Sequence, residues 1–192
     1  DKVIVSTDDD EIADISRKYG AETPFVRPRD ISDDHTVTTA VMKHAIESID
    51  HEINDISAVC CIYATSPFLI KNDLKKGLDI FNTQKWDYVF SASEFQSSIF
   101  RAFEVRKNSQ IDMFDSNNYH KRSQDFPIAY HDAGQFYWGS CTSWLDEKPI
   151  FSKKSTVVLI PRWRVQDIDT PDDWANAELM APFIFKKINK DY

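Results

Sequence analysis

The order of apolar segments along the chain predicts an α/β protein assembled from βαβ units. Short β-branched or largely apolar runs, suited to strands, recur at Val3 to Val5, Ala58 to Tyr63 and Tyr88 to Ala92. Apolar residues at helical spacing lie between them. The two kinds of segment alternate, which places successive strands parallel in a layered sheet.

Taken in order, Val3 to Val5 reads as a buried strand ending at Ser6-Thr7-Asp8. Ile12, Ile15 and Tyr19 then mark a helix, with Gly20 where a C-terminal cap belongs. Thr23 to Val26 reads as a second short strand, and a polar loop follows it. Val37, Val41, Ala45 and Ile49 form the next apolar stripe. The strand at 58 to 63 breaks at "ATSPF"; Leu74, Leu78 and Phe81 mark a helix before the strand at 88 to 92. From about Ser93 to Asp132 the pattern loosens, as an inserted lobe or a long flap would. Strand character resumes at Gly134 to Ser140 and Thr156 to Ile160. A last helix from Pro171 carries Trp174, Ala177, Ala181, Ile184 and Ile188 on one face. The 192 residues suit one domain with a real core.

Composition narrows the function. A net charge of −8 argues against non-specific nucleic-acid binding, so an anionic ligand must be met by local basic groups. The apolar runs are too short to span a bilayer. Three cysteines, with Cys60 and Cys61 adjacent in an apolar run, suit a reducing, cytoplasmic setting. The five histidines (35, 44, 51, 120 and 131) are scattered and form no zinc pattern. With four glycines in all, the chain holds neither G-x-G-x-x-G nor a P-loop. The sequence begins directly with an apolar run, and a buried strand there needs neighbours on both sides. An earlier segment is therefore expected to precede Asp1.

Three strand ends carry candidate chemistry. In "RVQDIDTPDDWANAE", Asp167 and Asp169 lie two apart in an extended segment, so their carboxylates share a side. Like charges held there call for a cation, which makes the pair a candidate Mg²⁺ site; a simple helix start explains the local sequence equally well. Asp172 and Asp173 belong to the helix start, with Thr170 and Asp173 paired as in a capping box. In "STDDDEI", Asp8 and Glu11 fit a capping box, capping is favoured for Asp9 and Asp10, and Ser6 and Asp8 are left as ligand candidates at a strand end. "IYATSPF" offers the hydroxyls of Thr65 and Ser66. Arg27, Lys121, Arg122, Arg162 and Arg164 are the candidate groups for meeting an anion.

In sequence order, "DKVIVSTDDDEIADISRKYGAE", "VRPRDISDDHT", "ATSPF", "RSQDFPIAYHDAGQFYW" and "VQDIDTPDDWANAE" resemble the cytidylyltransferases that activate sialic-acid-like nine-carbon sugars. The resemblance is strongest to the pseudaminic acid branch and spans nearly the whole chain. It implies a three-layer α/β/α sandwich with a mostly parallel sheet, of the nucleotide-diphosphosugar transferase type, in one domain over 1–192. It also implies a homodimer formed through the lobe at about 93–132. The implied reaction joins CTP to a nonulosonic sugar acid with Mg²⁺, giving a CMP-sugar and pyrophosphate. Asp167 and Asp169 would hold the Mg²⁺. Ser6, Asp8, Arg27 and Thr38 would lie at the cytidine end, with Tyr63, Thr65 and Ser66 beside nucleotide and sugar. Arg122 and Gln135 would grip the sugar acid.

Two departures from the family pattern stand out. A basic phosphate-holding loop of the type R-x-G-S-K-x-x-x-x-K-N belongs before Asp1, so the chain as printed is expected to be inactive on its own. Where N-acetylneuraminate enzymes carry an arginine in a stretch like "FRPNGA", this chain reads Tyr130-His131-Asp132-Ala133-Gly134-Gln135. His131 stands as a substitute for that arginine or as a packing residue. The competing functions are an N-acetylneuraminate or legionaminate cytidylyltransferase and a non-catalytic nucleotide-binding protein.

Overall fold

The computed structural model describes residues 2–49 and 56–191; His51 lies outside the described residues, as do the side chains of 189–191. The fold is α/β. Its mixed sheet has four strands in the order β1-β5-β2-β6, with β1 at Val59–Ile62, β2 at Tyr88–Glu94, β5 at Tyr130–Gly139 and β6 at Ser155–Leu159. The α/β class expected from the alternation is borne out; the strand order itself depends on long-range pairing that alternation does not encode. The chain divides into two compact units, each described by itself below. One comprises Asp1–Cys61, Ile80–Val89 and Tyr137–Thr156; the other comprises Ile62–Asp79, Phe90–Phe136 and Val157–Tyr192.

In the first unit, the run at Val3 to Val5 forms an isolated parallel bridge between Ile4 and Glu22, with Val5 N–H donating to Glu22 O at 2.9 Å. Val3 is 68% exposed, so the expected buried strand is reduced to one bridge. The strand expected at Thr23 to Val26 does not form either. Pro24 has no N–H to donate to a ladder, and pairing resumes once, from Arg27 N–H to Thr7 O at 2.9 Å.

Helix α1 (Asp10–Lys18) follows, with acidic residues in its first turn and basic ones in its last, as the helix dipole favours. Its N-cap is Asp9, as expected, and it accepts from Ile12 N–H at 2.9 Å; Asp9 rather than Asp8 starts the helix. Gly20 adopts φ +90° past the helix end, as expected of a C-terminal cap. The apolar residues marking α1 are exposed, with Tyr19, just past its end, at 89%. Helix α2 (Thr38–Glu47) packs on the short α4 (Cys141–Leu145), and Ile46 is its buried residue.

The core of this unit centres on Trp144, whose ring meets Tyr88 edge-on with centroids 4.9 Å apart. Trp144 Nε1 donates to Val59 O at 3.2 Å, and the Tyr88 hydroxyl donates to Ser143 O at 2.8 Å. A Cβ on Gly139 would lie 2.6 Å from Trp144 Nε1 and 2.8 Å from Tyr88 Cε1. Both rings are buried and cannot yield cheaply. Gly139→Ala is therefore expected to cost about 1–3 kcal/mol through overpacking, read as a lower urea midpoint at unchanged m-value.

In the second unit, α3 (Lys71–Phe81) leads towards β2, and the stretch expected to be loose contains an antiparallel hairpin. Its strands, β3 (Phe103–Val105) and β4 (Ile111–Met113), pair Phe103 with Met113 and Val105 with Ile111. Helix α5 (Pro171–Asp191) buries Ala177 and Ile184 with Phe68, and Trp163, Ile168 and Ile188 pack around them. Trp174, expected on that face, is 58% exposed; it lies in the first turn, ahead of the packed stretch. Among the described residues no helix is long and apolar enough to cross a membrane.

Candidate active site

In the first unit, two of the candidate residues meet. Because Asp9 takes the cap of α1, the Asp8 carboxylate is left for Arg27 Nη2, 3.7 Å away. Arg27 is held from the other side by Ser32, whose Oγ accepts from Nε at 3.0 Å. Ser6 Oγ, two residues from Asp8, is buried and, among the described residues, has no hydrogen-bond partner. Thr38 is the first residue of α2. The structure thus brings Asp8 and Arg27 together, two of the four residues expected at the cytidine end.

The second unit supplies the carboxylates. Asp167 and Asp169 lie in the extended segment between the turn at Arg162–Arg164 and α5. Loss of hydration pushes the Asp167 carboxyl above its usual range, and the nearby charges of Asp169, Asp132 and Asp173 push it the same way. A cation beside it would favour its ionised form. Gly134 on β5 faces it with φ +62°; a Cβ there would sit 3.2 Å from Asp167 Oδ2. Only glycine combines that backbone with so close an approach.

Asp173 has a separate job. Its Oδ2 accepts from Thr170 N–H at 2.9 Å, and Asp173 N–H donates to Thr170 Oγ1 at 3.2 Å, the expected capping box. The Thr170 hydroxyl also holds the Asp173 carboxyl below its ordinary range.

The remaining expected residues of this unit are dispersed. Tyr63 N–H donates to Gln135 O at 3.1 Å, and Ser66 Oγ donates to Tyr63 O at 2.5 Å, closing the turn that carries Thr65. Arg122 is exposed and paired with Asp125, Nη2 to Oδ1 at 3.1 Å. Gln135 is buried, with Nε2 donating to Arg164 O at 2.8 Å. Arg164 is not a free anion-meeting group: Nη1 lies 2.6 Å from Asp73 Oδ2, and the arginine is 1% exposed. Sequence reading missed Asp73, which lies 91 residues away along the chain. His131 packs its ring against Phe95, and its Nδ1 lies 2.7 Å from Asp132 O.

Among the described residues, no three His, Cys, Asp or Glu side chains are gathered for a metal. The Asp167–Asp169 pair nonetheless suits Mg²⁺, which is commonly held by one or two carboxylates with the rest of its shell from water and substrate phosphates.

A family model described as cytidylyltransferase matches residues 1–172. The chain belongs to the cytidylyltransferase family. A pseudaminic acid cytidylyltransferase of Campylobacter jejuni (strain 81-176) is 43% identical over 94% of this chain and 78% of its own length. An N-acylneuraminate cytidylyltransferase of Escherichia coli O18:K1:H7 is 25% identical over 91% of this chain and 40% of its own. The solved structure of CMP:2-keto-3-deoxy-manno-octonic acid synthetase complexed with CTP superposes with a TM-score of 0.64. It is 10% identical, with 97% of this cytidylyltransferase chain and 82% of that one covered, a likeness of fold.

Proposed function

We propose that this cytidylyltransferase transfers CMP from CTP to pseudaminic acid, releasing pyrophosphate. The observation that carries the choice of sugar is the identity of 43% to a pseudaminic acid enzyme, against 25% to an N-acylneuraminate enzyme. In the reaction the sugar's anomeric hydroxyl attacks the α-phosphorus in line. A new P–O bond forms, the bond from the α-phosphorus to the oxygen bridging the β-phosphate breaks with its electron pair leaving on pyrophosphate, and the hydroxyl proton passes to solvent. The chain's own work is positioning and charge compensation. Arg27, steadied by Asp8 and Ser32, meets the nucleotide together with Ser6 and Thr38. The turn from Tyr63 to Ser66 presents hydroxyls beside nucleotide and sugar, and Arg122 is assigned to the sugar acid. Asp167 and Asp169 would hold Mg²⁺, which when bound offsets phosphate charge and makes the hydroxyl more acidic. Free cysteines at 60, 61 and 141 suit a reducing, cytoplasmic compartment.

The test is pyrophosphate release by the full-length protein with CTP, Mg²⁺ and each nonulosonic acid in turn. Turnover of pseudaminic acid is expected to exceed that of N-acetylneuraminate and legionaminate; the reverse order overturns the choice of sugar. The lobe is further assigned to a homodimer. Phe103, Val105, Ile111 and Phe114 are all exposed on or beside its hairpin, an apolar surface of the kind that marks protein interfaces. Sedimentation is expected to give a dimer mass, and Val105→Glu with Ile111→Glu a monomer. A monomeric unsubstituted protein counts against the dimer.

A further inference from the structure

We infer that a buried chain of polar contacts, Gln135–Arg164–Asp73, positions the Asp167–Asp169 segment, so that Gln135 serves the reaction through Arg164. The inference rests on reading that pair as the Mg²⁺ site. Gln135 and Arg164 are each 1% exposed. Gln135 Nε2 donates to the Arg164 carbonyl, three residues before Asp167, at 2.8 Å. The Arg164 guanidinium is anchored to Asp73 Oδ2 at 2.6 Å and to Phe68 O at 3.4 Å. Next to Gln135 on the same strand, Gly134 lies against the Asp167 carboxylate. Strand β5 therefore meets the segment at two points, the backbone of Arg164 and the side chain of Asp167.

Stability alone does not account for this chain of contacts. Among the described residues, Gln135 Oε1 and Arg164 Nε are buried with no hydrogen-bond partner. Unpaired buried polar atoms are destabilising, and a buried ion pair seldom outperforms apolar packing of equal volume. What the polar arrangement provides is direction. It fixes the carbonyl and the guanidinium of one residue to different elements, and so sets where the following carboxylates point. Groups that orient metal ligands typically change affinity or activity by about 10–100-fold when removed.

The test uses Gln135→Met in the full-length protein. Methionine matches the volume and removes the unpaired Oε1, while leaving the Arg164 carbonyl without its donor. Thermal melts are expected to show little loss. Mn²⁺ titrated alone, followed by the disappearance of the free-ion EPR signal, is expected to bind about tenfold more weakly. Turnover should fall by a similar factor with KM for the sugar acid unchanged. Gln135→Asn keeps the amide but shortens its reach, and the same losses are expected from it. Unchanged Mn²⁺ affinity with a raised KM for the sugar acid overturns the inference in favour of direct contact. Losses that merely track the unfolded fraction overturn it as well. An unsubstituted protein that binds no Mn²⁺ defeats the metal reading itself, an outcome distinct from either.

Discussion

Asp169→Asn in the full-length enzyme is expected to lower turnover on the order of 10²–10³-fold, in the range seen when a group stabilising transition-state charge is removed. The fold should be untouched. Asp169 is exposed and sits beside carboxylates that already press on Asp167, so the substitution relieves repulsion. Pyrophosphate release and a thermal melt measure the two sides of this expectation. Asp173→Asn, four residues on, should do the opposite: Thr170 loses its carboxylate partner and α5 frays at its start, while turnover stays close to normal. Wild-type turnover in Asp169→Asn, or equal loss of activity in both variants, would refute the division of the four aspartates into a metal pair and a cap.

Asp73→Ala should give the largest loss of stability. Arg164 is buried, and its closest charged partner is Asp73 Oδ2 at 2.6 Å. Removing one member of a buried pair leaves the other charge uncompensated, at a cost of about 3–5 kcal/mol. Urea unfolding should show this as a lower midpoint with an unchanged slope. Replacing both, Asp73→Leu with Arg164→Met, should recover much of the stability, since no charge then remains buried. Activity is expected to stay low in the double variant, because Arg164 no longer anchors the segment that carries Asp167. A double variant as unstable as Asp73→Ala would show that the pair stabilises the protein outright.

The sheet strands and the longer helices were legible because each carries its own period. Ala177 and Ile184 recur at helical spacing, and the run at 88 to 92 is apolar except for Ser91. The capping of α5 was legible because Thr170 and Asp173 are local partners. Helix α4 was not, since five residues are too few to display a period. The hairpin at 103–113 was missed because its strands span only three residues each. At the candidate site, Asp167 and Asp169 were picked out by their spacing, and Asp8 and Arg27 by their places after the short apolar runs at 3–5 and 23–26. The burial of Gln135 and the pairing of Arg164 with Asp73 had no local signal, because sequence distance hides which side chains meet in a core.

The capping of α1 by Asp9, with Asp8 left to Arg27, bears on how this protein tolerates change. Three successive aspartates, Asp8 to Asp10, mean that deleting any one still leaves a carboxylate available to start the helix. The same deletion would alter which carboxylate faces Arg27, and at what reach. With Arg27 in the nucleotide role proposed above, such a lesion would be silent in a melting curve and in expression yield, yet visible in nucleotide affinity. On that proposal, this run is a place where activity can be lost without loss of stability.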